Sequence, residues 1–117
     1  MISAFGRVLN GYRKANGDTL KTLASKLNIS VPYLSSMEVG RRLVTLEVVE
    51  KVKDIYKLND TQYDELYTSM LESNNKVDLE LSKMNDAQRE VSMTFARRIE
   101  NADPELLEKL RKALSDD

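Results

Sequence analysis

The chain has no cysteine, no histidine and no tryptophan among its 117 residues, and only two prolines and four glycines. Without cysteine there are no disulfides and no thiolate chemistry, which makes an intracellular protein the expectation. Without histidine or cysteine, transition-metal sites and the common nucleophile–base pairs lose their usual parts. No glycine-rich phosphate loop is present. Carboxylates alone could bind Mg²⁺ or move protons, but the 19 acidic residues are scattered along helical faces, where solvated surface is their ordinary role. The sequence therefore predicts neither an enzyme nor a cofactor. No apolar run approaches the roughly 18 residues that span a bilayer, and Met1 to Arg7 lacks a signal-peptide core. A cytoplasmic location with no membrane partner follows as the expectation.

What the chain does contain favours helices. Leu, Lys and Glu are abundant, and the composition is 41% hydrophobic and 32% charged, as in soluble globular proteins. The net charge of −1 conceals an uneven distribution. Residues 1–58 carry ten Lys and Arg against five Asp and Glu, whereas residues 59–117 carry eight against fourteen. A basic front half suits a surface that meets phosphates, and an acidic rear half would be repelled from them.

Hydrophobic periodicity predicts a helix over about 4–15, with Phe5, Val8, Leu9 and Tyr12 on one stripe, stopped by Asn16-Gly17-Asp18. Thr19 caps a second helix carrying Leu20, Leu23, Ala24 and Leu27, and Ser30 caps a third, with Pro32 in its first turn, ending at Gly40. Thr45 caps a fourth, for which Leu46, Val49, Val52, Ile55 and Tyr56 form the expected inner face. A fifth begins at Asp60 or Thr61 and carries Tyr63, Leu66, Tyr67, Met70 and Leu71. The polar run 72–76 breaks the periodicity and reads as a linker. Val77, Leu79 and Leu81 alternate with polar residues, which is strand periodicity over 77–81. Two further helices are expected, at about 85–101 (Ala87, Val91, Phe95, Ile99) and 104–115 (Leu106, Leu107, Leu110, Ala113, Leu114). The expected fold is all-α: five helices over residues 1–72, then a C-terminal helical extension over 77–117 with one short strand at its start.

Residues 20–39 are the most informative stretch. Two short helices that cross steeply need a small residue where their backbones meet, and Ala24 stands there. The tight turn between them needs a residue that tolerates positive φ, and Asn28 supplies it. Leu23, Leu27, Ile29, Leu34 and Met37 would bury the junction, leaving Val31, Pro32, Tyr33, Ser35 and Ser36 facing outward on a helix that fits a DNA major groove. Blander roles exist for several of these residues. Glu38 suits a cap or an ion pair with a nearby Arg, Tyr33 suits packing on the first helix, and Arg41 and Arg42 suit a solvated loop.

The run Leu23-Ala24-x-x-Leu27-Asn28-Ile29-Ser30-x-x-x-Leu34-Ser35-x-x-Glu38-x-Gly40-x-Arg42 resembles the Cro and phage-repressor (XRE-type) helix-turn-helix regulators. With the flanking helices, the resemblance covers about residues 4–58. It implies a sequence-specific binder of double-stranded DNA, with Thr19, Lys21, Ser30, Arg41 and Arg42 near phosphates. Val31, Pro32, Tyr33, Ser35 and Ser36 would then face base edges. The chain departs from the family in having Leu20 for a frequent Gln, Val39 for a frequent Asn and Val44 for a loop proline. Its outward face also lacks the Arg, Lys, Asn and Gln that make bidentate base contacts. A homodimeric repressor of phage or mobile-element type is the leading implication. The alternatives are an antitoxin, whose C-terminal segment neutralises a toxin or protease partner, and an adaptor that no longer binds DNA.

Overall fold

The computed structural model describes residues 1–115, which divide into two compact units, Met1–Val77 and a second beginning at Asp78. The first unit holds five helices: α1 (Ala4–Ala15), α2 (Leu20–Leu27), α3 (Val31–Glu38), α4 (Leu46–Tyr56) and α5 (Asp60–Asn74). The second holds α6 (Asp86–Arg98) and α7 (Pro104–Leu114), with single 3₁₀ turns at Leu81–Lys83 and Ile99–Asn101. The fold is all-helical, with no strand among the described residues.

Each α-helix starts on a polar residue that accepts a hydrogen bond from an otherwise unpaired backbone N–H of the first turn. Ser3, Thr19, Ser30, Thr45, Asn59, Asn85 and Asp103 do this in turn. Asn59 and Asn85 complete reciprocal capping boxes with Gln62 and Gln88. Several stops use left-handed backbone, at Gly17, Asn28, Lys57 and Asn75.

The core lies wholly in the first unit. Phe5 and Leu9 of α1, Leu23 and Leu27 of α2, Leu34 and Met37 of α3, Val49 and Val52 of α4 and Leu66 of α5 are all fully buried. Helix α1 packs on α5 and α3, α4 packs on α5 and α2, and α2 packs on α3. Gly6 lies where α1 meets the C-terminal end of α3: a Cβ there would run into the Glu38 carbonyl oxygen and sit 2.7 Å from Ile2 Cγ1. That approach is closed by Ser3, whose N–H and Oγ both donate to the Glu38 carbonyl, at 2.9 and 2.8 Å.

Three expectations from periodicity need correction. Leu46 is exposed and Val48 is buried in its stead. Thr45 fixes the start of α4, and Leu46 then lies about 200° around the helix from Val48. The segment 77–81 forms no strand: it is extended, then turns as a 3₁₀ helix, with Val77 and Leu79 exposed. A strand is stabilised by ladder hydrogen bonds to a neighbour, and alternation alone supplies none. The polar run 72–76 is no simple linker, because α5 continues to Asn74 and two of its polar side chains hold the first unit together. Ser73 Oγ accepts from the Phe5 N–H at 2.8 Å, and Asn74 exchanges two hydrogen bonds with the Val44 backbone, each 2.8 Å.

In the second unit no described residue is buried. Helix α6 ends at Arg98, short of the expected 101, and the Ile99–Asn101 turn leads through Ala102 to the Asp103 cap of α7. No helix of the described residues is long and apolar enough to cross a membrane.

Candidate nucleic-acid interface

The geometry between α2 and α3 follows from three residues. Asn28 closes α2 in the left-handed conformation (φ 58°), and the Ile29 N–H returns to the Ala24 carbonyl at 3.0 Å, which turns the chain sharply. Ala24, 1% exposed, leaves room for the helices to approach. Ser30 then starts α3 by accepting from the Tyr33 N–H at 3.2 Å, with Pro32 placed where a missing N–H costs nothing. Leu34 and Met37 anchor the inner side of α3. On the outer side Val31 and Pro32 are exposed, and Tyr33, Ser35 and Ser36 are half-buried.

The loop after α3 is fixed to it. The Ser36 carbonyl accepts from the Arg41 N–H (2.8 Å) and the Arg42 N–H (3.3 Å). Asn74 holds Val44 at the far end of the loop, and sequence periodicity gave no sign of that contact. Arg42 lies over the Tyr33 ring, 5.5 Å from its centroid, a cation–π contact that ties the loop to the outer face of α3. Ser30, Pro32, Tyr33, Ser36 and Arg42 together line an open depression of about 350 Å³. Five of the ten expected contact residues thus meet at one place. Val31, Ser35 and Arg41 lie beside it on α3 and the loop, and Thr19 and Lys21 lie at the start of α2.

Arg41 and Arg42 are exposed and have no acidic partner among the described residues. Lys21 is exposed as well. Two of the expected hydroxyls already have structural work: Thr19 Oγ1 accepts from the Thr22 N–H at 3.0 Å, and Ser30 caps α3. A hydroxyl oxygen engaged as an acceptor keeps its O–H as a donor, so capping leaves Ser30 able to meet a phosphate, and Thr19 as well when Thr22 Oγ1, 2.9 Å away, is the donor between those two hydroxyls.

Two charged clusters support this surface. Asp18 accepts from Lys26 Nζ (2.9 and 3.0 Å) and from the Tyr56 hydroxyl (2.8 Å), joining the α1–α2 loop to α2 and α4. Those hydrogen bonds, Lys26's first, hold its carboxyl below the usual range, and burial pushes the Tyr56 phenol well up. Glu38, at the end of α3, is buried with its Oε2 4.0 Å from Arg13 Nε. Burial raises its carboxyl above the ordinary value, and the Arg13 cation pulls it part of the way back. Glu38 is therefore an internal partner of Arg13 and does not face the depression.

Among the described residues, no cluster of acidic side chains is placed to hold a metal ion. No curated protein and no solved structure matches the chain. Residues 4–66, more than half of its length and the whole of α1 to α4, match the family described as helix-turn-helix domain, and the chain belongs to that family.

Proposed function

We propose that the protein is a sequence-specific regulator that binds double-stranded DNA, with α3 in the major groove, and that it acts as a cytoplasmic homodimeric repressor rather than as an enzyme. The observation that carries the proposal is the Arg42–Tyr33 contact: it sets an unneutralised guanidinium against the outer face of a helix already capped and anchored from behind. Lys21, Arg41 and Arg42, with the Thr19 and Ser30 hydroxyls, would take phosphates, which fix register without reading sequence. Val31 and Pro32 would meet thymine methyls, while Ser35, Ser36 and the Tyr33 hydroxyl would reach polar base edges. A face with no Arg, Lys, Asn or Gln gives few bidentate contacts, so DNA shape carries a large share of specificity.

Fluorescence anisotropy on a labelled duplex across a salt series tests this. The double substitution Arg41→Ala/Arg42→Ala should weaken binding to every sequence alike and lower the magnitude of the log–log salt slope by about 0.9 per lost phosphate contact. An unchanged slope would remove the loop from the interface. A second reading, an antitoxin that holds a toxin or protease through its C-terminal segment, is favoured by the uncovered apolar faces of α6 and α7.

A further inference from the structure

The second unit is a helical pair without a core. None of its described residues is buried, and Val91, Phe95, Leu107 and Leu114 stand 69, 39, 43 and 78% exposed. So short a segment cannot remove enough apolar surface from water by itself, and its stability must come from something laid against it. The place is defined: an apolar groove of about 250 Å³ between α6 and α7, floored by Val91, Phe95, Ile99, Leu106 and Leu110.

The rim of that groove specifies the occupant. Glu90, Thr94 and Arg98 line it at positions i, i+4 and i+8 of α6, and so form one row along the helix. The two charges are opposite in sign and stand at equal distances, about 6 Å, on either side of Thr94. Neither has an ion-pair partner among the described residues, whereas four of the five α7 charges are paired within their own helix, Glu105 with Lys109 (3.3 Å) and Glu108 with Arg111 (2.6 Å). A row that reads minus, small, plus is complementary to itself reversed. A two-fold axis through Thr94 brings Glu90 of each copy onto Arg98 of the other, as an isologous interface requires. A parallel arrangement would set Glu90 against Glu90 and Arg98 against Arg98.

We propose that the groove is filled by a second copy of this chain, with α6 packing antiparallel on α6 about Thr94 and two Glu90–Arg98 pairs closing its ends. The proposal rests on the homodimeric part of the function above and adds to it the face, the direction and the register.

Sedimentation of the full chain at micromolar concentration, without DNA, tests it. The wild type should be a dimer. Glu90→Arg alone, or Arg98→Glu alone, turns both attractive pairs into repulsive ones and should weaken dimerisation by about tenfold or more. An equimolar mixture of the two variants should recover dimers near wild-type affinity, because each chain then carries the charges the other lacks. A variant that had merely lost its helices would not be rescued by mixing. A wild-type dimer indifferent to the single reversals, or one that the mixture does not restore, overturns the register and leaves homodimerisation standing. A wild-type monomer overturns both.

Discussion

Replacing Gly6 and Gly11 by alanine, one at a time, should move stability in opposite directions although both glycines lie in α1. In a helix interior, Gly→Ala is worth about 1 kcal/mol of stabilisation from propensity. Gly11 is exposed, and a Cβ there meets nothing within 4 Å, so that gain should appear undiminished. At Gly6 the new Cβ would collide with the Glu38 carbonyl oxygen, lie 2.7 Å from Ile2 Cγ1 and 3.0 Å from the Glu38 carbonyl carbon. Ile2 can turn aside, but the carbonyl belongs to the last residue of α3 and cannot. Helices α1 and α3 must separate. Overpacking of this kind costs about 1–3 kcal/mol. Separation also strains the two hydrogen bonds from Ser3 to the same carbonyl, each worth about 1 kcal/mol. After the propensity gain is subtracted, Gly6→Ala should lose about 2–4 kcal/mol. At about 4–8 °C per kcal/mol for a unit of this size, Tm falls by about 8–32 °C, while Gly11→Ala raises it by about 4–8 °C. Thermal unfolding followed by circular dichroism reads both. If Gly6→Ala melts with the wild type or above it, α1 and α3 do not approach as described.

Arg13→Met should destabilise the protein by about 2–3 kcal/mol at neutral pH, because it strands buried Glu38 without its cation. Glu38 already has a raised folded-state pKa, so its stabilising contribution is complete below its unfolded pKa and is lost as pH rises through the folded one. Removing Arg13 raises that value further, and denaturant titrations should find a larger loss at about pH 8 than at about pH 5; an equal loss at both would deny the pairing. A chain ending at Val77 retains every buried apolar residue and should unfold cooperatively near the wild-type temperature. The same truncation should make the protein monomeric, and it should cost affinity for a palindrome far more than for a half-site, as gel-shift titrations would show; equal losses on both would separate the C-terminal unit from DNA binding.

Much of the first unit was legible because its determinants are local. Thr19, Ser30 and Thr45 at helix starts, Asn28 at the turn and Ala24 at the crossing each act within a few residues, and all appear in the structure as their chemistry suggests. Long-range supports left no such trace. Phe5 and Ser73 are 68 positions apart, and Val44 and Asn74 are 30 apart. A polar run at the end of α5 therefore resembled a linker, although it braces the loop that carries Arg41 and Arg42. Leu46 misled because Leu46 and Val48 are both apolar, and the packing of α4 on α5 and α2 leaves only Val48 buried. The alternation at 77–81 misled because strand periodicity says nothing about whether a neighbouring strand exists. Glu38 was legible as a class, a cap or an ion-pair partner, and the fold chose Arg13.

The central claim is that α3 reads DNA, and selection from a random duplex pool at fixed ionic strength tests it most directly. The wild type should enrich one motif. Ser36→Gln should shift the enriched sequence while leaving non-specific affinity nearly unchanged, and Tyr33→Ala should shift it too, with a smaller loss on every sequence as Arg42 loses the ring it lies over. A motif that survives both substitutions unaltered, or a wild type that enriches nothing, would contradict the assignment of α3 as the reading helix.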